Sequence, residues 1–126
     1  MTLWQRFSLS AAGLYGALWV GLAAAAMHLW QGQLDAMALN RLFSAMAILA
    51  MHTLAILALS LHAQGRRRYA AVLLCWHLGS WLFVYTLLAA VFQLPFHVGR
   101  LAPIGGQLLI VGWLLLAFSP WFRKIP

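Results

Sequence analysis

A chain of 126 residues is one domain by length, but 65% hydrophobic and 7% charged residues exclude a water-soluble fold, where those shares run roughly 45–50% and about 25%. The net charge of +7 sets eight Lys and Arg against one acid, Asp35. The basic residues stand at the ends of apolar runs, where they face lipid headgroups, and lack the aromatic interleaving of a nucleic-acid surface. Cys75 is the only cysteine, so no intrachain disulfide can form.

In chain order, Arg6 precedes the first apolar run, Leu9–Trp30. Arg6 followed by Ala24-Ala25-Ala26 has the outline of a secretory signal, but three further spans favour a retained helix. This run carries Gly13, Ala17, Gly21 and Ala25 at four-residue steps, a small-residue stripe that lets a neighbouring backbone come close. After Gln31–Arg41 comes Leu42–His62, rich in alanine and centred on His52. The short Ala63–Arg68 connection makes the next run, Tyr69–Gln93, an antiparallel neighbour. The last run, Pro103–Trp121, follows Leu94–Ala102 and opens with Pro103, Gly105 and Gly106, where a bared backbone suits close helix packing.

Each run meets the roughly 20 apolar residues that a helix needs to cross a bilayer. Every charged residue falls outside them, as expected when a mid-helix charge costs about 2.5–3.5 kcal/mol on insertion scales. The expected fold is all-α: a four-transmembrane-helix antiparallel bundle forming a single transmembrane domain. Arg6, Arg66, Arg67, Arg68, Arg123 and Lys124 fall on one side, and Arg41 and Arg100 on the other. The basic excess marks the cytoplasmic side and places both termini there. Trp4, Trp30, Trp121 and Phe122 lie near span ends, at headgroup level.

Met51-His52-Thr53-Leu54-Ala55-Ile56-Leu57, Ala102-Pro103-Ile104-Gly105-Gly106 and Gly112-Trp113-Leu114-Leu115-Leu116, with Ala26-Met27-His28-Leu29 as a looser match, resemble the small bacterial membrane-protein family called domain of unknown function 423. The resemblance runs over nearly the whole chain and implies a four-span protein of the bacterial cytoplasmic (inner) membrane, with no reaction attached. Where that family carries Tyr and Gln before its second histidine and a Ser-Gly-Ser cluster in its third span, this chain has Ile48-Leu49 and Val84-Tyr85-Thr86.

Histidines are the only residues here that could carry chemistry, and an ionisable group inside a membrane is a functional candidate. His28 and His52 read first as helix-bridging hydrogen-bonding groups. His28 is expected to reach the Pro103–Gly106 turn or Gln107, since both lie about 13 Å outward of their span centres. Two axial haem ligands need a common depth. His52 is central and His77 sits roughly 6 Å inward of its own span centre, so His52 with His77 is the workable haem b pair. Met27-His28 and Met51-His52 have Cu(I)-compatible atoms, but adjacent helical residues diverge by about 100°. His62, at a headgroup boundary, and His97, in a loop, read as solvated.

A proton-coupled exporter needs a carboxylate within the membrane, and Asp35 lies in a loop. No carboxylate pair, Ser/His/Asp set or Cys/His set shares one depth. The sequence therefore reads as a non-catalytic integral membrane protein without a cofactor. It would be an accessory or structural component in contact with lipid and with another membrane protein or itself. The alternative is a haem b- or copper-binding redox component.

Overall fold

The computed structural model describes residues 1–63, 66–96 and 98–121. His97, Phe122, Arg123 and Lys124 lie outside the described residues. Helices α1 (Leu3–His28), α2 (Ala36–Ala63), α3 (Ala70–Phe92) and α4 (Leu101–Phe118) follow one another, with a 3₁₀ turn over Arg67–Tyr69 leading into α3. All four are long and apolar enough to cross a membrane, and the chain is a four-helix membrane bundle.

Local sequence sets the helix ends. Thr2 and Gln5 form a reciprocal capping box at the start of α1: the Gln5 N–H donates to Thr2 Oγ1 at 3.2 Å and the Thr2 N–H to Gln5 Oε1 at 2.9 Å. Asp35 accepts the Ala38 N–H at 2.7 Å and starts α2 within the Gln31–Arg41 stretch expected to connect spans. A carboxylate cap lets the helix begin in the headgroup region, one turn and a half before the apolar run. Gln93, with φ 54°, ends α3 in the left-handed conformation, and Pro95 follows.

The extensive contacts run α1 on α2, α2 on α3 and α3 on α4. The α3–α4 seam is the tightest. A Cβ added at Gly105 would sit 2.6 Å from the Phe83 nitrogen and 2.9 Å from the Gly79 carbonyl oxygen. One added at Gly112 would lie 2.5 Å from the Trp76 ring. Only glycine admits so close an approach, and close approach supplies the dispersion contact that holds helices together in lipid.

The α1 stripe does not pack this way. Gly13, Ala17 and Gly21 are exposed, and a Cβ at Gly13 or Gly21 would meet nothing within 4 Å. The buried face of α1 is instead Gln5, Ser8, Ala11, Ala12, Tyr15, Leu22 and Ala26. The physical reason is helical pitch. Residues at successive four-residue steps drift around the helix, whereas alternating steps of three and four, as in Ser8, Ala12, Tyr15, keep to one seam.

Candidate functional site

The polar interior is centred on two buried histidines. His77 of α3 projects toward α1, where Ser8 and Tyr15 stand two turns apart on the buried face. Its Nδ1 lies 2.9 Å from the Tyr15 hydroxyl and its Nε2 lies 3.1 Å from the Ser8 hydroxyl. Trp4, Phe7 and Tyr15 ring the imidazole, with centroids 5.9, 5.4 and 5.7 Å away. Each hydroxyl can donate or accept, so either neutral tautomer of His77 satisfies both bonds.

His52 is constrained differently. Its Nδ1 is 2.9 Å from the Ile48 carbonyl oxygen, which can only accept, so Nδ1 carries the hydrogen. Its Nε2 is left as the acceptor for the Trp113 indole N–H at 3.1 Å, joining α2 to α4. A proton on Nε2 would set donor against donor. Trp76 and Trp113 lie edge-on to the imidazole at 6.1 and 6.0 Å, and Gly112 makes the room that the Trp76 ring occupies.

Other buried polar groups are also held locally. Thr53 and Thr86 donate back to the Leu49 and Leu82 carbonyls at 2.6 Å each. The Gln5 amide donates to the Ser60 carbonyl at 3.3 Å, tying the first turn of α1 to the end of α2. Beside Tyr15, Leu18, Leu49, Trp81 and Leu88 an apolar cavity of about 110 Å³ opens, with Ser80 the one small hydroxyl on its wall. Among the described residues no three His, Cys, Asp or Glu side chains gather as a metal set. A haem iron at His52 or His77 would have to break one of the hydrogen bonds already made by that ring.

The expected residues are dispersed. His52 and Gly105 are buried at helix contacts, and a Cβ added at Gly106 would lie 3.7 Å from the Phe83 ring. His28 is exposed at the end of α1 and has no hydrogen bond to the Pro103–Gln107 turn among the described residues. Pro103 and Gln107 are themselves exposed. The expected His28 bridge does not form, and the extensive contacts of α1 are with α2 while those of α4 are with α3. His62 is exposed, its ring edge-on to Tyr69 at 5.8 Å.

Ser8, Tyr15 and Trp113, the actual partners of the histidines, were not expected. Ser8 and Tyr15 could have been found from their seven-residue separation, which puts both on one seam of α1 with Ala12 between them. Trp113 gave no comparable signal, since an indole in an apolar run reads equally as lipid-facing.

A family model described as "Protein of unknown function (DUF423)" matches residues 22–106, more than half of the chain. A UPF0382 membrane protein of Haemophilus influenzae is 32% identical over 117 residues, covering 92% of this chain and 94% of that relative. The chain belongs to the DUF423 family. A UPF0382 membrane protein of Schizosaccharomyces pombe is 35% identical over 120 residues, covering 90% of this chain and 96% of its own length. The family is thus not confined to bacteria. No solved structure gives a significant match. Family and relatives alike describe a membrane protein of unknown function, and nothing in them points to catalysis.

Proposed function

We propose that this chain is a non-catalytic accessory component of the bacterial inner membrane that acts through helix contacts made by its lipid-facing surface. One observation carries the reading. Both imidazoles are held in hydrogen bonds within the chain, while the small-residue face of α1 at Gly13, Ala17 and Gly21 lies open. Small residues on a lipid-facing surface suit a second backbone in van der Waals contact, the form of association that lipid favours. The basic cluster Arg66–Arg68 and Arg6 stand at one end of the bundle and Arg41 and Arg100 at the other, which supports cytoplasmic termini.

Cysteine crosslinking in native membranes tests the reading, in a chain where Cys75 is replaced by serine. Gly13→Cys and Gly21→Cys should crosslink to a second polypeptide far more than Leu54→Cys, an exposed position on α2. Equal labelling at all three sites would remove the proposed contact face. Topology reporters at Asp35 and Pro126 should report opposite compartments. A visible spectrum with reduced-minus-oxidised haem bands at stoichiometric haem would replace this reading with the redox alternative.

A further inference from the structure

A cavity of about 220 Å³ opens where α1 begins, α2 ends and α3 begins. Its wall includes Trp4, Gln5, Arg66, Arg67 and Tyr69, with Ala70 and Leu73 supplying an apolar side. We propose that this cavity binds a phosphate group at the membrane surface. The site is independent of the helix-contact role suggested above.

The unused hydrogen-bonding capacity of the wall is on the donor side. Arg66 and Arg67 are exposed and line the cavity, bringing two guanidinium groups to it. Arg68 is excluded from the site because it braces Tyr69, donating to its hydroxyl at 3.1 Å and lying 4.7 Å over its ring. That bond makes the Tyr69 oxygen an acceptor and leaves its O–H to donate elsewhere. Gln5 is buried, and one hydrogen of its amide nitrogen goes to the Ser60 carbonyl, leaving the other. The Trp4 indole nitrogen is buried and has no partner among the described residues.

The 26-residue α1 begins at this cavity with no acidic residue in its first turn, so its positive dipole end offsets the negative end of α2, which finishes there, and the guanidinium charge is left in excess. No acidic side chain of the protein can neutralise the site. The single one, Asp35, caps the far end of the 28-residue α2, roughly 42 Å away at about 1.5 Å per residue. An acceptor-only anion is the ligand that such a wall satisfies. Arginine forks match the paired oxygens of phosphate.

The phosphate could belong to an anionic lipid headgroup or be free in solution, and the two are separable. The full chain is purified in zwitterionic detergent. Its thermal unfolding is then followed with added phosphatidylglycerol, phosphatidylcholine or inorganic phosphate, and bound lipid is counted by native mass spectrometry. The Arg66→Gln/Arg67→Gln variant is compared with Arg41→Gln/Arg100→Gln, which loses the same charge at the other end. Both pairs are exposed, so unliganded stability should not change.

The expected result is stabilisation and retention of phosphatidylglycerol, weakened about thirtyfold in Arg66→Gln/Arg67→Gln, the factor two surface arginines supply against an anionic headgroup. The control variant should bind as the parent does. Stabilisation by inorganic phosphate with the same dependence on Arg66 and Arg67 would assign the site to soluble phosphate. Equal loss in the two variants, or no preference for phosphatidylglycerol or inorganic phosphate over phosphatidylcholine, whose phosphate is balanced by its own choline cation, overturns the proposal.

Discussion

The two sides of α3 are held by different physics. Toward α4 the contact is glycine against backbone: Gly105 on Gly79 and Phe83, with Leu109 pressed over Gly79. Among the described hydrogen bonds none joins α3 to α4. Toward α1 the contact is polar, with His77 set between Ser8 and Tyr15. Lipid offers no hydrophobic gain for bringing helices together, so association draws on close packing or on hydrogen bonds. This chain uses one on each face of the same helix. The packed face depends on the absence of atoms and the polar face on their presence, so the two should fail under opposite kinds of substitution.

The largest effect is expected on the packed face. Gly105→Ala adds one methyl group, but at 2.6 Å from the Phe83 nitrogen it meets backbone that cannot swing aside. The helices must separate along the seam, at a cost of about 2–3 kcal/mol. Reversible unfolding in detergent measures it. A loss below about 0.5 kcal/mol, the ordinary range for an inconsequential surface change, would mean that the seam is looser than described.

The polar face should give less. Tyr15→Phe removes the hydroxyl facing His77 Nδ1. Hydrogen bonds between membrane helices average about 0.6 kcal/mol and reach about 1.7. A cycle combining Tyr15→Phe with His77→Phe isolates the pair. The coupling should fall within that range, and a coupling near zero would reduce the Ser8–His77–Tyr15 network to ordinary packing. Trp113→Phe should cost a similar amount by leaving His52 Nε2 without its donor.

The sequence made the packed face only partly legible and the polar face hardly at all. Helix existence was readable because the apolar runs, the turn formers and the placement of every charge agreed. Gly105 and Gly106 drew attention through their position after Pro103. Gly79, the facing residue on α3, did not, because an isolated glycine in an apolar run gives no direction. The histidines could be recognised as polar groups needing partners, but a partner depends on which helices adjoin. That order, with α1 packed mainly on α2 and α4 mainly on α3, is not encoded in any single span. Hence depth alone points His28 to a turn with which it makes no hydrogen bond among the described residues, and it gives no hint of Ser8 and Tyr15 on the seam that His77 meets.

The smallest effects are expected at residues that resemble the critical ones and sit elsewhere. Gly21 has the same side chain as Gly105, yet a Cβ there meets open space. Gly21→Ala should therefore leave stability unchanged or slightly raised, since alanine is the better helix former. His28 has the same side chain as His77, but it is exposed at the last turn of α1 and bonded to no other helix among the described residues. His28→Leu should change unfolding free energy by less than about 0.5 kcal/mol, measured beside His77→Leu in the same detergent. His77→Leu leaves the Ser8 and Tyr15 hydroxyls facing an apolar side chain and removes both hydrogen bonds, each worth about 0.6 kcal/mol on average between membrane helices. If His28→Leu proved as damaging as His77→Leu, α1 would have to pack with a neighbour at its outer end that the present arrangement does not contain. Position would then matter less than residue type at the histidines, even if it decided the outcome at the glycines.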